Sequence, residues 1–478
     1  MESKHYRLLT LKNAELSGPL AAVIPSEMIP HNLPARVLMA LSRLAPSEIN
    51  LLGLRAGYAP SGEFHSEATG ILARGLGKKV AENVTRAINN KGRPLLTRDG
   101  QSIYTLFQPP VPSAPIAKVL ASRLSLERTG HPLPATHTMQ VTTACQCDCV
   151  HCSASRHRDG KKAILSTEEC KGFIRQSVAM GVVIVIFTGG EPLLRKDLCE
   201  LIASVDPDDA ITMIFSNGQL LDKEHVGALK RAGLFSLMVS LDSPDALEHD
   251  DLRGLSGCWK NAVEGISRSL EAGLLCGIST YTTPQRLREG KVVEMIELGR
   301  QLGVHEITIF DTVPTGRLLQ EDAGALLSEE DKAALCALER QYNAREGYPH
   351  IITQAHVNGP SGAGCYAAWF QLYSTAYGDV TPCDFTPLSF GNIREEPLVD
   401  IWNRMTAHPA YCQHMDHCRM QDQRFRREWI DRIPAAGPFP YPIEVLSELP
   451  EVDEDSLREA VLVGGGGTRN TSSIGIRA

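Results

Sequence analysis

Between about residue 137 and residue 320 short apolar runs alternate with amphipathic stretches. The runs are TMQVTT (138–143), VVIVIFTGG (182–190), AITMIFSNG (210–218), LFSLMVSLD (234–242), GISTYTT (277–283) and HEITIFD (305–311). Most are apolar at successive positions, the pattern of strands covered on both faces of a parallel sheet. The segments between them carry helix signals. STEECKGFIRQSVAMG (166–181) opens on an N-cap hydroxyl with glutamate in the first turn, and HVGALKRAG (225–233) closes on glycine. Six β/α repeats predict an α/β fold, a partial (β/α)6 TIM-like barrel rather than an open sheet.

The flanks have other patterns. Residues before about 135 mix amphipathic helices, ARVLMALSRL (35–44) and ENVTRAINN (82–90), with a strand-like SIYTLFQ (102–108). The breaks QPPVPSAP and TGHPLPATH then separate this block from the barrel. SEEDKAALCALERQYNA (328–344) predicts a helix followed by loop, and beyond residue 434 an acidic helix, ELPEVDEDSLREA, precedes the flexible GGGGTRNTSSIG. The division expected is therefore an N-terminal α+β domain (1–135) suited to substrate or partner binding, a barrel (136–320), a small cysteine-bearing domain (321–434) and a C-terminal acidic extension and tail (435–478).

Composition narrows the class. With 478 residues, 43% hydrophobic and 22% charged, the chain can bury several cores. Lysine and arginine number 48 against 56 acidic residues, a net charge of -8, with no basic block dense enough to track a phosphate backbone, so nucleic acid is not an expected partner. The first residues contain no apolar core with a cleavage site, and no segment offers about 18 uninterrupted apolar residues, so no transmembrane segment is expected. A cytoplasmic setting is the resulting expectation, and in a reducing compartment the 13 cysteines serve metals or catalysis rather than disulfides.

Four cysteines fall within TTACQCDCVHCSA (142–154), immediately after the first apolar run. Cys145, Cys149 and Cys152 read C-x3-C-x2-C at the C-terminal mouth of the barrel, where barrel active sites are built. Three thiols can ligate three irons of a cubane cluster. Clusters that only carry electrons generally have four cysteines, so the fourth iron invites an exogenous ligand. Zinc is the alternative, since His151 and His157 are near, but no second ligand pair occurs at finger-like spacing. Cys147 lies between ligand positions and is expected to turn away from them.

TGGEP (188–192) ends the second run; its glycines let backbone approach a ligand closely. C-x3-C-x2-C after the first strand and GGEP after the second, with SNGQLL (216–221), VSLDS (239–243) and HDDLRGLSG (249–257) beyond them, resemble the radical S-adenosylmethionine (SAM) enzymes over roughly residues 137–320. The resemblance implies a [4Fe-4S] cluster on Cys145, Cys149 and Cys152 whose open iron takes the amino and carboxylate groups of SAM. It implies that Gly189, Gly190 and the Glu191 carboxylate meet the methionine ammonium, and that the His151 backbone lies near adenine. Ser240 is then a contact to carboxylate or ribose and Arg253 a partner of the carboxylate. Ser216 stands where threonine is more usual before Asn-Gly. The implied chemistry is reductive cleavage of SAM to a 5'-deoxyadenosyl radical that abstracts a substrate hydrogen, with flavodoxin or ferredoxin as the reducing partner. In such a site a guanidinium suits a carboxylate, and the protein orients the substrate while the cofactor supplies the chemistry.

A second cysteine group lies downstream. CYAAWFQLYSTAYGDVTPC (365–383) reads C-x12-G-x4-C around Gly378 and precedes SFGNIREEPLVDIW (389–402). It resembles the SPASM domain or its shortened form, twitch, in which cysteines straddle a glycine-turned β-hairpin. Full SPASM has seven cysteines and two clusters. Here Cys365, Cys383, Cys418 and Cys412 imply one auxiliary cluster, a [4Fe-4S], with Cys412 either a fourth ligand or a bystander. Relatives of this type act on peptides or on small molecules, and the N-terminal block favours peptide or protein modification by a cross-link, thioether or related bond. A small molecule, cofactor precursor, tetrapyrrole or lipid is the alternative substrate, and a non-enzymatic iron–sulfur electron carrier the alternative class. PTGR (314–317) adds Arg317 as a candidate contact to an acidic substrate.

Overall fold

The protein is described by a computed structural model covering residues 49–51, 54–58, 64–68, 94–111, 113–156, 162–319, 326–434 and 437–448. The helices expected at 35–44 and 82–90, His157, and the acidic extension and tail beyond 448 lie outside the described residues. Strands β1 (Ile49–Leu51), β2 (Leu54–Tyr58) and β3 (Phe64–Ala68) form a small antiparallel sheet. β4 (Leu96–Arg98) and β5 (Gln101–Ile103) form a hairpin, turned at Asp99 and Gly100 with φ of 51° and 75°. Asp-Gly suits this turn because both central positions need positive φ.

The predicted runs become β6 (Thr136–Gln140), β7 (Ile184–Thr188), β8 (Ile211–Ser216), β9 (Ser236–Ser240), β10 (Leu275–Thr282) and β11 (Glu306–Asp311). They pair in chain order and in parallel, the partial barrel that the alternation predicts. Helix α1 (Ala114–Thr129) precedes them and starts on the Ser113 cap. The local signals hold for α2 (Thr167–Met180), which begins in a capping box between Ser166 and Glu169 and ends at Gly181. They hold also for α3 (Lys223–Arg231), which is succeeded by Gly233 at φ 87°. Short α4 (Ala246–Arg253) and α5 (Cys258–Glu271) lie between β9 and β10.

The sheet extends beyond these six strands at both edges. The stretch after α6 (Glu329–Asn343), read as loop, contains β12 (His350–Thr353), which extends the sheet beyond β11. Its Ile-Ile-Thr is too short to signal a strand alone; edge pairing with β11 supplies the stabilisation. At the opposite edge β13 (Gln371–Ser374) pairs in parallel with β6 and antiparallel with β14 (Val380–Thr381). The cysteine-bearing hairpin is thus built onto the barrel sheet, nine strands in order β12 to β6 and then β13 and β14.

SIYTLFQ is strand only through Ile103, and its remaining residues close the barrel floor. Leu106, fully buried, packs in one apolar cluster with Ile184, Ile211 and Leu275, the first residues of β7, β8 and β10. Its N–H donates to Glu306 Oε2 at 3.2 Å and its carbonyl accepts from Ser236 Oγ at 3.3 Å. Both partners open their strands, so the N-terminal mouth is plugged and the site must open at the other end.

Candidate active site

The cysteine loop leaves β6 and is held by backbone from several directions. Gly190 N donates to Thr142 O at 2.8 Å and Glu191 N to Ala144 O at 2.7 Å, tying it to the turn after β7. Asp148 N and Val150 N donate to Arg253 O (2.9 Å) and Leu252 O (3.0 Å) at the end of α4. A Cβ on Gly189 would run into the Thr142 carbonyl, and one on Gly190 into that of Ala144. The two glycines are therefore required by the close approach of two loops. Arg317 does not wait for a substrate: it forms an ion pair with Asp148, and its backbone N–H donates to Cys152 O at 3.2 Å.

Cys145, Cys149 and Cys152 line one cavity of about 490 Å3 that runs from Thr105 and Phe107 at the floor to the C-terminal ends of the strands. N–H donors face the sulfurs. Asn217 Nδ2 is 3.7 Å from Cys145 Sγ, and Arg253 Nη1 is 3.7 Å from Cys149 Sγ. The Cys149 thiol is lowered to about 7 by a hydrogen bond with the Cys147 thiol, burial opposing and the Arg253 charge assisting. Positively polarised donors around thiols on a cavity wall fit an iron–sulfur cluster. Cys147 does not turn away as expected. It is buried on the same wall, its sulfur 4.0 Å from that of Cys258 and 3.4 Å from Asn217 Nδ2.

Glu191 is anchored in the turn after β7. It is fully buried, and its carboxylate accepts from Leu193 N (3.1 Å), Ser216 Oγ (2.9 Å) and Asn217 N (2.7 Å). Burial raises its pKa to about 7 against those three donors. A carboxylate so occupied secures the turn and the start of the 216–218 segment. Ser216, Ser240, Gly189, Gly190, His151 and Arg253 all line the cavity. Burial lowers the His151 ring to about 4, leaving it neutral, and it stacks 4.1 Å from Tyr281. Arg253 Nε meets Asp242 Oδ2 at 2.7 Å, and Arg286 donates to the Asp242 carbonyl and pairs with Glu248. Asn217 and Asp242 lie inside the SNG and SLD motifs, but their roles as sulfur donor and buried counter-charge are not legible in the motifs themselves.

Across the cavity stand Cys365, Cys383 and Cys418. Cys365 precedes β13 and Cys383 comes just after β14, and Gly378 turns the hairpin at φ 94°. Burial pushes the Cys383 thiol up to about 12. Cys412 is exposed and absent from the cavity wall. Two carboxyls, Asp311 and Asp384, are raised by burial and accept from Gln421 Nε2 (2.6 Å) and Gln371 Nε2 (2.7 Å). One cavity thus joins both thiol groups.

Comparison with known proteins agrees with this geometry. The family model of the radical SAM superfamily matches residues 139–284, and that of SPASM, an iron–sulfur cluster-binding domain, matches residues 365–427. An AdoMet-dependent heme synthase of Methanosarcina barkeri is 31% identical over 290 residues, covering 56% of this chain and 82% of that protein. A PqqA peptide cyclase of Gluconobacter oxydans is 26% identical over 278 residues, covering 56% and 76%. In fold, the chain resembles Streptococcus suis SuiB, solved bound to its precursor peptide SuiA, with a TM-score of 0.51 at 16% identity over 73% of this chain and 84% of that one. No helix among the described residues is long and apolar enough to cross a membrane. The chain belongs to the radical SAM superfamily, in the branch with a C-terminal iron–sulfur cluster-binding SPASM domain, and is an enzyme of that family.

Proposed function

We propose that Cys145, Cys149 and Cys152 hold the SAM-binding [4Fe-4S] cluster, that the C-terminal thiols hold one auxiliary cluster, and that a peptide segment is modified in the cavity between them. When bound and reduced by a flavodoxin or ferredoxin, the SAM-binding cluster supplies the electron that cleaves SAM to a hydrogen-abstracting radical. The chain's own groups then have separate tasks. Gly189 and Gly190 bring backbone to the methionine end, Arg253 and Ser240 receive its carboxylate or ribose, and the neutral His151 and Tyr281 rings form an apolar wall that excludes water. Glu191 and Ser216 hold the glycine turn in place.

The observation that carries the peptide reading is the charge of the wall. Among the described lining residues Arg253 is the one Lys or Arg, and Asp242 and the SAM carboxylate share it, whereas Asp311 and Asp384 stand beside the C-terminal thiols. Hydrogen-bond donors such as backbone amides or an amine suit that lining; a tetrapyrrole with several carboxylates finds no cationic partner. A tetrapyrrole is the second reading, favoured by the 31% identity to a heme synthase. Holoenzyme is titrated with Fe-coproporphyrin III and, separately, assayed with SAM, dithionite and the peptides encoded beside its gene. Stimulation of 5'-deoxyadenosine by a peptide, with a mass change in it and no Soret shift, supports the proposal. A Soret shift with mass change in the porphyrin sinks it.

A further inference from the structure

Two cysteines beside the SAM-side thiols belong to no ligand motif, and their sulfurs face one another. Cys147 and Cys258 lie 111 residues apart in the chain, both buried, with Sγ to Sγ at 4.0 Å. Their approach is set by backbone. Asp148 N and Val150 N donate to Arg253 O (2.9 Å) and Leu252 O (3.0 Å), and a Cβ on Gly254 would sit 3.0 Å from the Asp148 carbonyl, so the loop around Cys147 is sewn to the end of α4. Cys258 opens α5, its N–H donating to Leu255 O at 3.2 Å. Amide donors hold both thiols in place, Asn217 Nδ2 at 3.4 Å from Cys147 Sγ and Gln219 Nε2 at 3.1 Å from Cys258 Sγ. Cys147 lines the cavity, whereas Cys258 does not.

We infer that Cys147 and Cys258 form a reversible disulfide when hydrogen peroxide reaches the site, a modification that withdraws the spare thiol of the cluster loop from the ligand thiols around it. The inference rests on the ligand set Cys145, Cys149 and Cys152 of the proposed function. Peroxide is small enough to enter the cavity, where it oxidises Cys147 to a sulfenic acid and leaves one water. The Cys258 sulfur then displaces the hydroxyl as a second water. One S–S bond replaces two S–H bonds, and the two protons and two electrons released reduce one peroxide. Closing the 4.0 Å gap to the about 2.0 Å of a disulfide is within the span of side-chain rotation. Cys145 and Cys149 are also near, but each is separated from Cys147 by a single residue, and so small a ring resists the dihedral of about 90° that a disulfide prefers. When peroxide strips the SAM-binding cluster, the bond leaves free in the loop the three thiols that the cluster needs and keeps the loop fastened to α5. A thiol reductant restores both cysteines, so the bond is transient in a reducing compartment.

The test uses the full-length holoenzyme, reconstituted anaerobically and then exposed to hydrogen peroxide until its iron is released. Free thiols are alkylated, and the protein is digested without reductant and read by mass spectrometry. The inference expects one dominant linked pair from the cluster loop, Cys147 to Cys258, with Cys145, Cys149 and Cys152 recovered alkylated and the link gone after dithiothreitol. In Cys258→Ala carried through the same steps, the blocked fraction of Cys145 and Cys149 should rise several-fold. Links among Cys145, Cys147, Cys149 and Cys152 in the parent, or Cys147 recovered alkylated or as a sulfinic acid, overturn the disulfide, and this reading needs no variant. Equal blocking of Cys145 and Cys149 in the parent and in Cys258→Ala overturns the protective role. Loss of about half the iron, one cubane of two, from unoxidised Cys147→Ser overturns the ligand set instead.

Discussion

Arg253 and Asp242 meet Nε to Oδ2 at 2.7 Å, both buried, behind the cysteine loop. The same guanidinium reaches Cys149 Sγ, and the same residue's carbonyl accepts from Asp148 N, so one arginine ties α4, the SLD segment and the cluster loop together. Asp242→Asn leaves that guanidinium buried without its counter-charge. Removing one partner of a buried pair costs about 3–5 kcal/mol. The variant should melt well below the parent and bind SAM more weakly, as read by thermal denaturation and SAM titration of the reconstituted protein. An unchanged melting temperature would refute the positioning role.

Cys147→Ser and Cys149→Ser separate ligand from neighbour. Cys147 shares the wall but also contacts Cys258, so its replacement should keep the full iron content and 5'-deoxyadenosine formation. Cys149→Ser should lose the SAM-binding cluster and that activity. Equal losses in both variants would make Cys147 a ligand.

Glu191→Gln tests the buried turn. Two N–H groups and one O–H converge on this carboxylate, and glutamine would offer them a single acceptor oxygen and an opposing NH2. A buried donor left without its partner costs about 1–3 kcal/mol, so the denaturation midpoint should fall, with Ser216→Ala milder at about 1 kcal/mol. Full stability with loss of SAM affinity alone would instead favour direct contact between carboxylate and ligand.

His137 supplies a pH dependence away from the clusters. It is fully buried between Ser177 Oγ (3.1 Å) and Ser374 Oγ (2.9 Å), joining α2, β6 and β13, and burial lowers its pKa from 6.5 to about 3. The unfolded chain therefore takes up a proton between pH 6.5 and 3 that the folded chain refuses. Stability is present above pH 6.5 and falls with acidification, by at most about 1.4 kcal/mol per pH unit for one proton. His137→Asn should flatten the slope between about pH 7 and pH 5 in denaturant titrations; an unaltered slope would show that His137 does not cause it.

The six barrel strands were legible because each is a contiguous apolar run bounded by turns and capped helices, as at 182–187, which lies between Gly181 closing α2 and the turn at Gly189. β12 was not, nor was the pairing of the Gly378 hairpin with β6, because short strands find their place by the edge they join rather than by their own sequence. The thiols of the first loop were identifiable from spacing. Their environment was not: the Asn217 donor and the inward Cys147 depend on contacts 70 or more residues apart in the chain, and the Asp242 counter-charge acts on the same loop through Arg253. Spacing also could not separate Cys412 from Cys418, since burial of Tyr411 decides which thiol faces inward.

The most direct test of the account is 5'-deoxyadenosine formed from SAM and dithionite by the anaerobically reconstituted full-length protein, compared with Cys149→Ser and Cys383→Ser. Turnover is expected in the parent, none in Cys149→Ser, and retained SAM cleavage in Cys383→Ser with about half the iron lost, one cubane of two. No 5'-deoxyadenosine from the parent, or undiminished formation by Cys149→Ser, would contradict it.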